Sequence, residues 1–269
     1  MRRTTEFLFD QDTRLDPEGE GAFSAQITDL WNTAAGSPNG GYLMALCVRA
    51  LSNGPAHPDP LVASAFFLRP ASPGAARIRT ETVRAGRRTR TGEARMRQDG
   101  KEIVRVVATF ADFDRTEGRT LCLDPMPVLR PPEELIDPLA GFDLPGITVA
   151  DRVEYRTGQP PGWLLGRPGG DPSMTFWMRF TDGREPDLLS LPFLADAACP
   201  VIMELGELPS ATVELTLHLR ARPAPGWLAC RVNTRHVSGG FHEEDCDIWD
   251  SRGSLVAQSR QLAMLHGAG

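Results

Sequence analysis

The sequence predicts an α+β protein made of two similar modules, in each of which a long antiparallel sheet wraps around one helix. Two observations support this prediction. Turn signals recur along the chain at a spacing of about 152 residues. Each half also shows the same order of patterns, in which a short strand is followed by an apolar helix and then by long alternating strands.

Three landmarks define the repeat, and each occurs once in either half of the chain. The paired segments are, in chain order, 22–28 with 173–180, 67–74 with 219–226, and 98–100 with 251–253. Their offsets are about 151, 152 and 153 residues. One matching turn would arise easily by chance, but three matches in the same order indicate a duplicated module.

The helices and strands follow from hydrophobic periodicity. The first helix is predicted to begin near Gly40 and run to Leu51, and the second to run from about Leu194 to Leu205. Both are apolar on nearly every side, which indicates burial against more than one surface. The first-half strands are predicted at 77–83, 89–98 and 102–110. In the second half Val213, Leu215, Leu217 and Leu219 are expected to point one way, and Thr212, Glu214, Thr216 and His218 the other.

Eight prolines between residues 114 and 161 exclude a continuous helix or central strand over most of that stretch. The predicted organisation is therefore an N-terminal module at 1–115, a Pro-rich connector at 116–160 and a C-terminal module at 161–269. A long antiparallel sheet around one buried helix is the hot-dog architecture. Two such modules in one chain can pair their sheets edge to edge, which protects strands that would otherwise be exposed.

Composition narrows the possible functions. A net charge of −6 argues against a broad nucleic-acid-binding surface. No run approaches the ~18 apolar residues of a membrane span, and the first residues do not form a secretory signal. The five cysteines are widely spaced and lack a CxxC pair, which is typical of free thiols in a reducing cytoplasm. No GxSxG, Walker loop or strand-linked GxGxxG occurs, which disfavours serine hydrolases, nucleotide hydrolases and Rossmann oxidoreductases.

Several short segments resemble the acyl-CoA thioesterase II family. The Gly-Gly helix start at 38–42 and the long hairpin at 86–110 are similar to the first module of that family. Segments 194–196, 211–214 and 255–261 look like those bearing the family's catalytic Asp, Thr and Gln. The resemblance covers most of the chain except the connector, and it depends on the order and spacing of the segments. Tyr42 stands where the family often has a polar residue.

The resemblance implies a thioester hydrolase without cofactor or metal, acting on acyl-CoA or another acyl thioester. Asp196 would be the general base or orient the water, and Gln261 would hold the same water. Thr212 would hydrogen-bond to the water or to Asp196. Gly40, Gly41 and Tyr42 would bind substrate, with backbone N–H groups polarising the carbonyl. In the first half Tyr42 and Ala108 stand near the Asp and Gln positions, so one site of two is equipped. A homo-oligomer is also expected.

Other interpretations of the same residues stay open at this point. Asp196 could be a helix N-cap, and a register error would put Gln258 in the place of Gln261. The alternating His242, Glu244 and Cys246 are of metal-ligand types, but a solvated acidic strand is favoured. An arginine-rich stretch at 84–97 could meet coenzyme A phosphates or be a solvated face. Two other functions compete: an enoyl-thioester hydratase or dehydratase, and a non-catalytic acyl-CoA-binding protein.

Overall fold

The structure is a computed structural model that describes residues 6–52, 54, 56–207 and 210–265. In this part of the chain the α-helices are α1 (Leu8–Asp12), α2 (Gly40–Leu51) and α3 (Leu191–Leu194). The strands are β1 (Asp16–Pro17), β2 (Ala22–Ile27), β3 (Asp59–Phe67), β4 (Gly74–Ala85), β5 (Arg90–Gln98), β6 (Lys101–Ala111), β7 (Val153–Arg156), β8 (Ser173–Phe180), β9 (Ser210–Leu219), β10 (Leu228–Asn233), β11 (Val237–Ser238), β12 (Phe241–Trp249) and β13 (Leu255–Leu265). The strands predicted from alternation are confirmed, with ends shifted by a few residues.

The strands form one antiparallel sheet in the order β1-β2-β4-β5-β6-β3-β9-β13-β12-β10-β8-β7, with β11 paired to β12. The expected pair of sheets is therefore a single sheet, because β3 and β9 join the halves edge to edge. At this junction Ser64 lies opposite Thr216, and their hydroxyl oxygens are 2.7 Å apart. These residues are 152 positions apart, which is the spacing of the sequence landmarks. The register thus adds support to the predicted duplication.

Helix α2 has the bounds that the sequence predicts. Its side chains are buried at every position from Tyr42 to Leu51 except Arg49. The helix packs against strands β3, β4, β5 and β6 of the first half and against α3 of the second. The Asn39 side chain accepts a hydrogen bond from the Tyr42 N–H at 3.0 Å and so caps the helix.

The prediction of a second continuous helix at 194–205 is wrong. The chain is helical over Leu191–Leu194, then tightens into 3₁₀-type bonds such as Asp196 N–H to the Phe193 carbonyl, and leaves the helix. Pro200 has no N–H and disfavours a helical conformation at the preceding residue, so a continuous helix cannot form. A 3₁₀ turn, Val201–Leu205, follows the proline. Apolar periodicity predicted the burial of this segment but not its shape.

The connector packs against the second half of the sheet. Within residues 116–152 the structure has two short 3₁₀ turns, at Pro132–Glu134 and Thr148–Asp151, and an isolated antiparallel bridge from Ile136 to Thr157. The Trp177 indole N–H of β8 donates to the Arg130 carbonyl at 2.9 Å, which fixes part of this stretch on the sheet. The module boundaries at 115 and 160 stay a prediction. In the described residues no helix has the length and apolar character needed to cross a membrane.

The two halves are also in close contact where α2 begins. A Cβ atom placed on Gly41 would lie 2.3 Å from the Pro192 carbonyl oxygen and 3.0 Å from the Phe193 Cα. Both of these contacts are with backbone, which cannot move aside without displacing α3. Glycine at position 41 is therefore required by the contact between α2 and α3.

We predict that Gly41→Ala lowers the free energy of unfolding by about 1–3 kcal/mol, because the added methyl group overpacks a backbone contact. Urea unfolding followed by circular dichroism measures this change. The matched control is Gly86→Ala, since a Cβ at Gly86 meets nothing closer than 3.4 Å. Equal stability of the two variants would show that α3 can shift away from α2.

Candidate active site

Asp196 lies at the N-terminus of α2, although it belongs to the other half of the chain. Its Oδ2 atom accepts a hydrogen bond from the Gly41 N–H at 2.7 Å. The Asn39 side chain also donates to the Asp196 carbonyl oxygen at 2.8 Å. The N-cap residue of α3 is Ser190, so the alternative interpretation of Asp196 as the cap of its own helix is wrong. The carboxylate instead binds the positive end of a helix 155 residues away in sequence.

The acid strength of Asp196 is set by its surroundings. Burial of the carboxyl group raises its pKa to about 6, and the hydrogen bond from Gly41 opposes that rise. The residue nevertheless keeps partial exposure to solvent. At neutral pH the group is therefore mostly ionised yet basic enough to take a proton, which suits a general base.

A β-bulge turns Thr212 toward the interior. Along β13, Leu262 pairs with Glu214 but Ala263 pairs with Thr212, so Val213 has no partner. This extra residue reverses the alternation of β9 at its start. Leu215, Leu217 and Leu219 are buried as predicted, whereas Val213 is 37% exposed and not part of their face. For this reason the expectation that Thr212 points to the face opposite the buried leucines is wrong.

Thr212 and Gln261 form the next part of the site. The Thr212 hydroxyl donates to Gln261 Oε1 at 2.7 Å, and Gln261 Nε2 donates to Glu244 Oε1 at 2.9 Å. Gln258 points to the opposite face of β13, where its amide donates to Asp247 at 2.9 Å. The structure therefore places Gln261, and not Gln258, in the interior beside Thr212.

Glu244 is a site residue that the sequence interpretation missed. It is 7% exposed, and its Oε2 atom accepts from the Val201 N–H at 2.7 Å. Burial, with a smaller contribution from the charge of Asp196, raises its pKa to about 7, although the hydrogen bonds from Val201 and Gln261 oppose the rise. The strand was expected to be solvated, but His242 and Cys246 on the same face are buried too. The alternation of β12 was the available signal, because it already grouped these three side chains.

The residues predicted to bind substrate have different surroundings. The Gly41 N–H is occupied by Asp196, and Gly40 borders the same carboxylate, since a Cβ there would lie 3.1 Å from Asp196 Oδ2. Tyr42 is fully buried, its hydroxyl donates to the Asp12 carbonyl at 2.9 Å, and its ring stacks on Trp31. The position of Tyr42 is that of a core residue, which corrects its predicted role in binding substrate.

The arginine-rich stretch lies away from these residues. A cleft of about 950 Å³ is lined by Arg95 and Arg97 together with residues of β2 and β4 in the first half. Arg95 bonds to Glu93 and Arg97 lies 3.5 Å from Glu102, so neighbouring carboxylates already pair with both. Among the described residues no group of His, Cys, Asp and Glu is placed to hold a metal ion.

The arrangement is suited to activating water. Asp196 and Glu244 are two carboxyl groups of raised pKa, and the charge of Asp196 contributes to the raised pKa of Glu244. Glu244 fixes the Gln261 amide, and Gln261 in turn receives the Thr212 hydroxyl bond. A carboxylate whose pKa is near the working pH can take a proton from water, and oriented amide and hydroxyl groups near it can hold that water in place.

Comparison with known sequences and structures identifies similar proteins. The acyl-CoA thioesterase N-terminal domain matches residues 27–111, and the acyl-CoA thioesterase C-terminal domain matches residues 129–265. A structure from Thermobifida fusca, provisionally described as a thioesterase II, is 31% identical and has a TM-score of 0.84, covering 97% of this chain and 98% of that chain. A protein of unknown function with a hot-dog fold from Alicyclobacillus acidocaldarius is 24% identical with a TM-score of 0.87, covering 98% and 100%. An uncharacterized Mycobacterium tuberculosis protein, Rv0499, is 29% identical over 90% of both chains.

These two carboxyl groups predict a dependence of stability on pH. The pKa values of Asp196 and Glu244 are raised on folding, so their contribution to stability is largest at about pH 4 and is lost as the pH rises through about 6 and 7. Asp196→Asn removes one of these groups. We therefore expect the variant to gain stability relative to the natural protein as the pH increases, by an amount on the order of 2 kcal/mol at pH 8.

Thermal or urea unfolding between pH 4 and 8 measures this difference. The matched control is Glu117→Gln, which removes one exposed carboxylate. A stability difference for Asp196→Asn that stays constant across the pH range would show that the Asp196 carboxyl group titrates alike in the folded and unfolded chains.

Proposed function

The chain belongs to the acyl-CoA thioesterase family, and on that premise we propose that it hydrolyses an acyl-CoA thioester by direct attack of water activated by Asp196. Family membership supports thioesterase activity in general. The observation that favours this mechanism is the bonded series Thr212–Gln261–Glu244 beside a carboxylate whose pKa is about 6. The cytoplasmic location and the homo-oligomer stay predictions.

Water would be held by two acceptors. The Thr212 hydroxyl occupies one lone pair of Gln261 Oε1, which leaves the other free to accept one water hydrogen. Asp196 accepts the second hydrogen through the carboxylate oxygen that faces away from Gly41. With both hydrogens held in this way, a lone pair of the water oxygen can be directed at the carbonyl carbon.

The proton and the electron pairs of the reaction are then accounted for without a cofactor. The water oxygen bonds to the carbonyl carbon, Asp196 takes the proton, and the carbonyl electron pair moves to oxygen. When this pair returns, the carbon–sulfur bond breaks and the thiolate leaves. The proton on Asp196 neutralises the thiolate, which regenerates the carboxylate for the next turnover and yields a carboxylic acid and a thiol.

Release of free thiol from acyl-CoAs of graded chain length tests this function. We expect turnover for at least one chain length, and a loss of about 10²–10⁴-fold in kcat for Asp196→Asn because the proton acceptor is removed. The kcat/KM of the natural enzyme should rise with pH through about 6, where Asp196 ionises. Full activity in Asp196→Asn would exclude the assigned mechanism.

The same panel separates the competing functions. Loss of the 2,3-double-bond absorbance of an enoyl-CoA without thiol release would identify a hydratase. Calorimetric binding of acyl-CoA without any turnover would identify a non-catalytic binding protein. The same assay with an acyl thioester of a carrier protein decides whether the acyl group of the substrate is carried by coenzyme A or by a carrier protein.

The two glutamines of β13 provide a matched pair. We predict that Gln261→Ala lowers kcat by about 10-fold or more, because the water loses one of its two acceptors and Glu244 loses the amide that it binds. Gln258→Ala removes the same side chain from the other face of the strand, and we expect kcat within about 2-fold of the natural enzyme. Similar kinetics in both variants would show that the water is held elsewhere.

A further inference from the structure

We propose that His242 is a further catalytic residue that donates a hydrogen bond to the carbonyl oxygen of the bound thioester as negative charge develops on it. This inference rests on the proposed function, since it assigns a role within the same site. It concerns a residue that neither the sequence interpretation nor the water-holding groups use.

The donor first expected to stabilise the oxyanion is already used. The Gly41 N–H points at Asp196 Oδ2 from 2.7 Å. The Thr212 hydroxyl donates to Gln261, and a Gln261 amide hydrogen goes to Glu244. Each of these hydrogens holds the water-activating groups in place. Thioester hydrolysis still needs a donor for the oxyanion, because such donors supply a large part of the rate enhancement in acyl transfer.

His242 has the opposite character, because its ring nitrogens are buried and make no hydrogen bond to the described residues. It is 1% exposed, and neither Nδ1 nor Nε2 has a hydrogen-bond partner among the described residues. A neutral imidazole carries one N–H donor and one acceptor nitrogen. Leaving such groups buried and unpaired is unfavourable, so a buried histidine with unpaired ring nitrogens needs an explanation.

The position of His242 places it on the wall of the candidate site. It is two residues from Glu244 on β12, and side chains two residues apart on a strand share a face. It pairs across β12 and β13 with Ala263, which pairs in turn with Thr212. Adjacent strands are about 4.8 Å apart, so Thr212 and His242 stand on either side of a gap of roughly 10 Å. The small Ala263 side chain forms the floor of that gap.

The charge state of His242 fits a donor role. Burial lowers the pKa of the imidazole, and the neighbouring Glu243 opposes this only in part. The ring is therefore neutral at pH 7. A neutral N–H can strengthen its bond as the carbonyl oxygen becomes negative, and no proton needs to leave the ring. The substrate class implied is any acyl thioester whose carbonyl reaches the gap between Thr212 and His242.

The kinetic test compares one donor-free residue, Phe, with two donor-bearing residues, His and Gln, at position 242. We expect His242→Phe to lower kcat by about 100-fold with KM changed by less than about 3-fold, because the donor acts on the transition state. His242→Gln keeps an N–H donor and should recover part of that loss. The matched control is His57→Phe, which makes the same substitution at a buried histidine of the first half with an unpartnered ring nitrogen. Thermal unfolding of all variants separates lost folding from lost chemistry.

Thr234 provides the competing location for the donor. Its hydroxyl is also buried without a partner among the described residues, and it follows Asn233, which pairs with Asp245 next to Glu244. If Thr234→Val and not His242→Phe lowers kcat by this amount, the proposal is overturned. It is overturned equally if His242→Phe raises KM alone or if His242→Gln is no better than His242→Phe.

A spectroscopic measurement tests the contact without relying on turnover. An acyl-CoA carrying ¹³C at the thioester carbonyl is bound to the Asp196→Asn variant, and its carbonyl stretch is followed by infrared difference spectroscopy. We expect a shift to lower frequency that is lost when His242→Phe is added. A bound thioester whose stretch is unaffected by His242→Phe would refute the contact even if hydrolysis is established. A His242-dependent shift in a protein without turnover would refute the hydrolase and retain the contact.

Discussion

The hydrogen bond between Gly41 and Asp196 joins the halves of the molecule and creates the site at the same time. Helix α2 supplies an unpaired N–H and the positive end of its dipole, while the segment after α3 supplies the carboxylate. The approach is possible only because position 41 has no side chain, since Pro192 and Phe193 press directly on its backbone. Neither half alone contains both partners, so the site depends on the junction.

Two carboxyl groups in one interior are costly, and the surrounding bonds show how the cost is limited. Val201 and Gln261 donate to Glu244, and Gly41 donates to Asp196, so each charge has partners although burial raises both pKa values. A carboxylate at position 244 also fixes the direction of the Gln261 amide, since only the NH₂ end can donate to it. The Oε1 end is thereby directed to Thr212, as water activation requires. Carboxyl groups whose pKa values are raised by burial are common at functional sites.

The sequence pattern predicted those elements whose conformation depends on neighbouring residues. Helix α2 and the long strands follow from periodicity and the Asn39 cap, and Asp196, Thr212 and Gln261 were grouped by resemblance. Sequence did not show the bulge at Val213, because it depends on how β9 pairs with β13. It did not show the burial of Glu244, whose partners Val201 and Gln261 are 43 and 17 residues away. Pro200 did carry a signal against the second helix, but the apolar pattern outweighed it.

The asymmetry of the halves has a structural cause. Gln261 pairs with Glu244 across β12 and β13, as Ala108 pairs with Gly92 across β5 and β6. A Cβ on Gly92 would lie 2.9 Å from the Leu51 side chain, because the unbroken helix α2 packs directly on the sheet there. In the second half Pro200 prevents a continuous helix, and the Val201 N–H, which has no helical partner, donates to Glu244 instead. The complete helix α2 thus lies over Gly92 and Ala108 in the first half, whereas the polar pair Glu244 and Gln261 occupies the second half of the sheet.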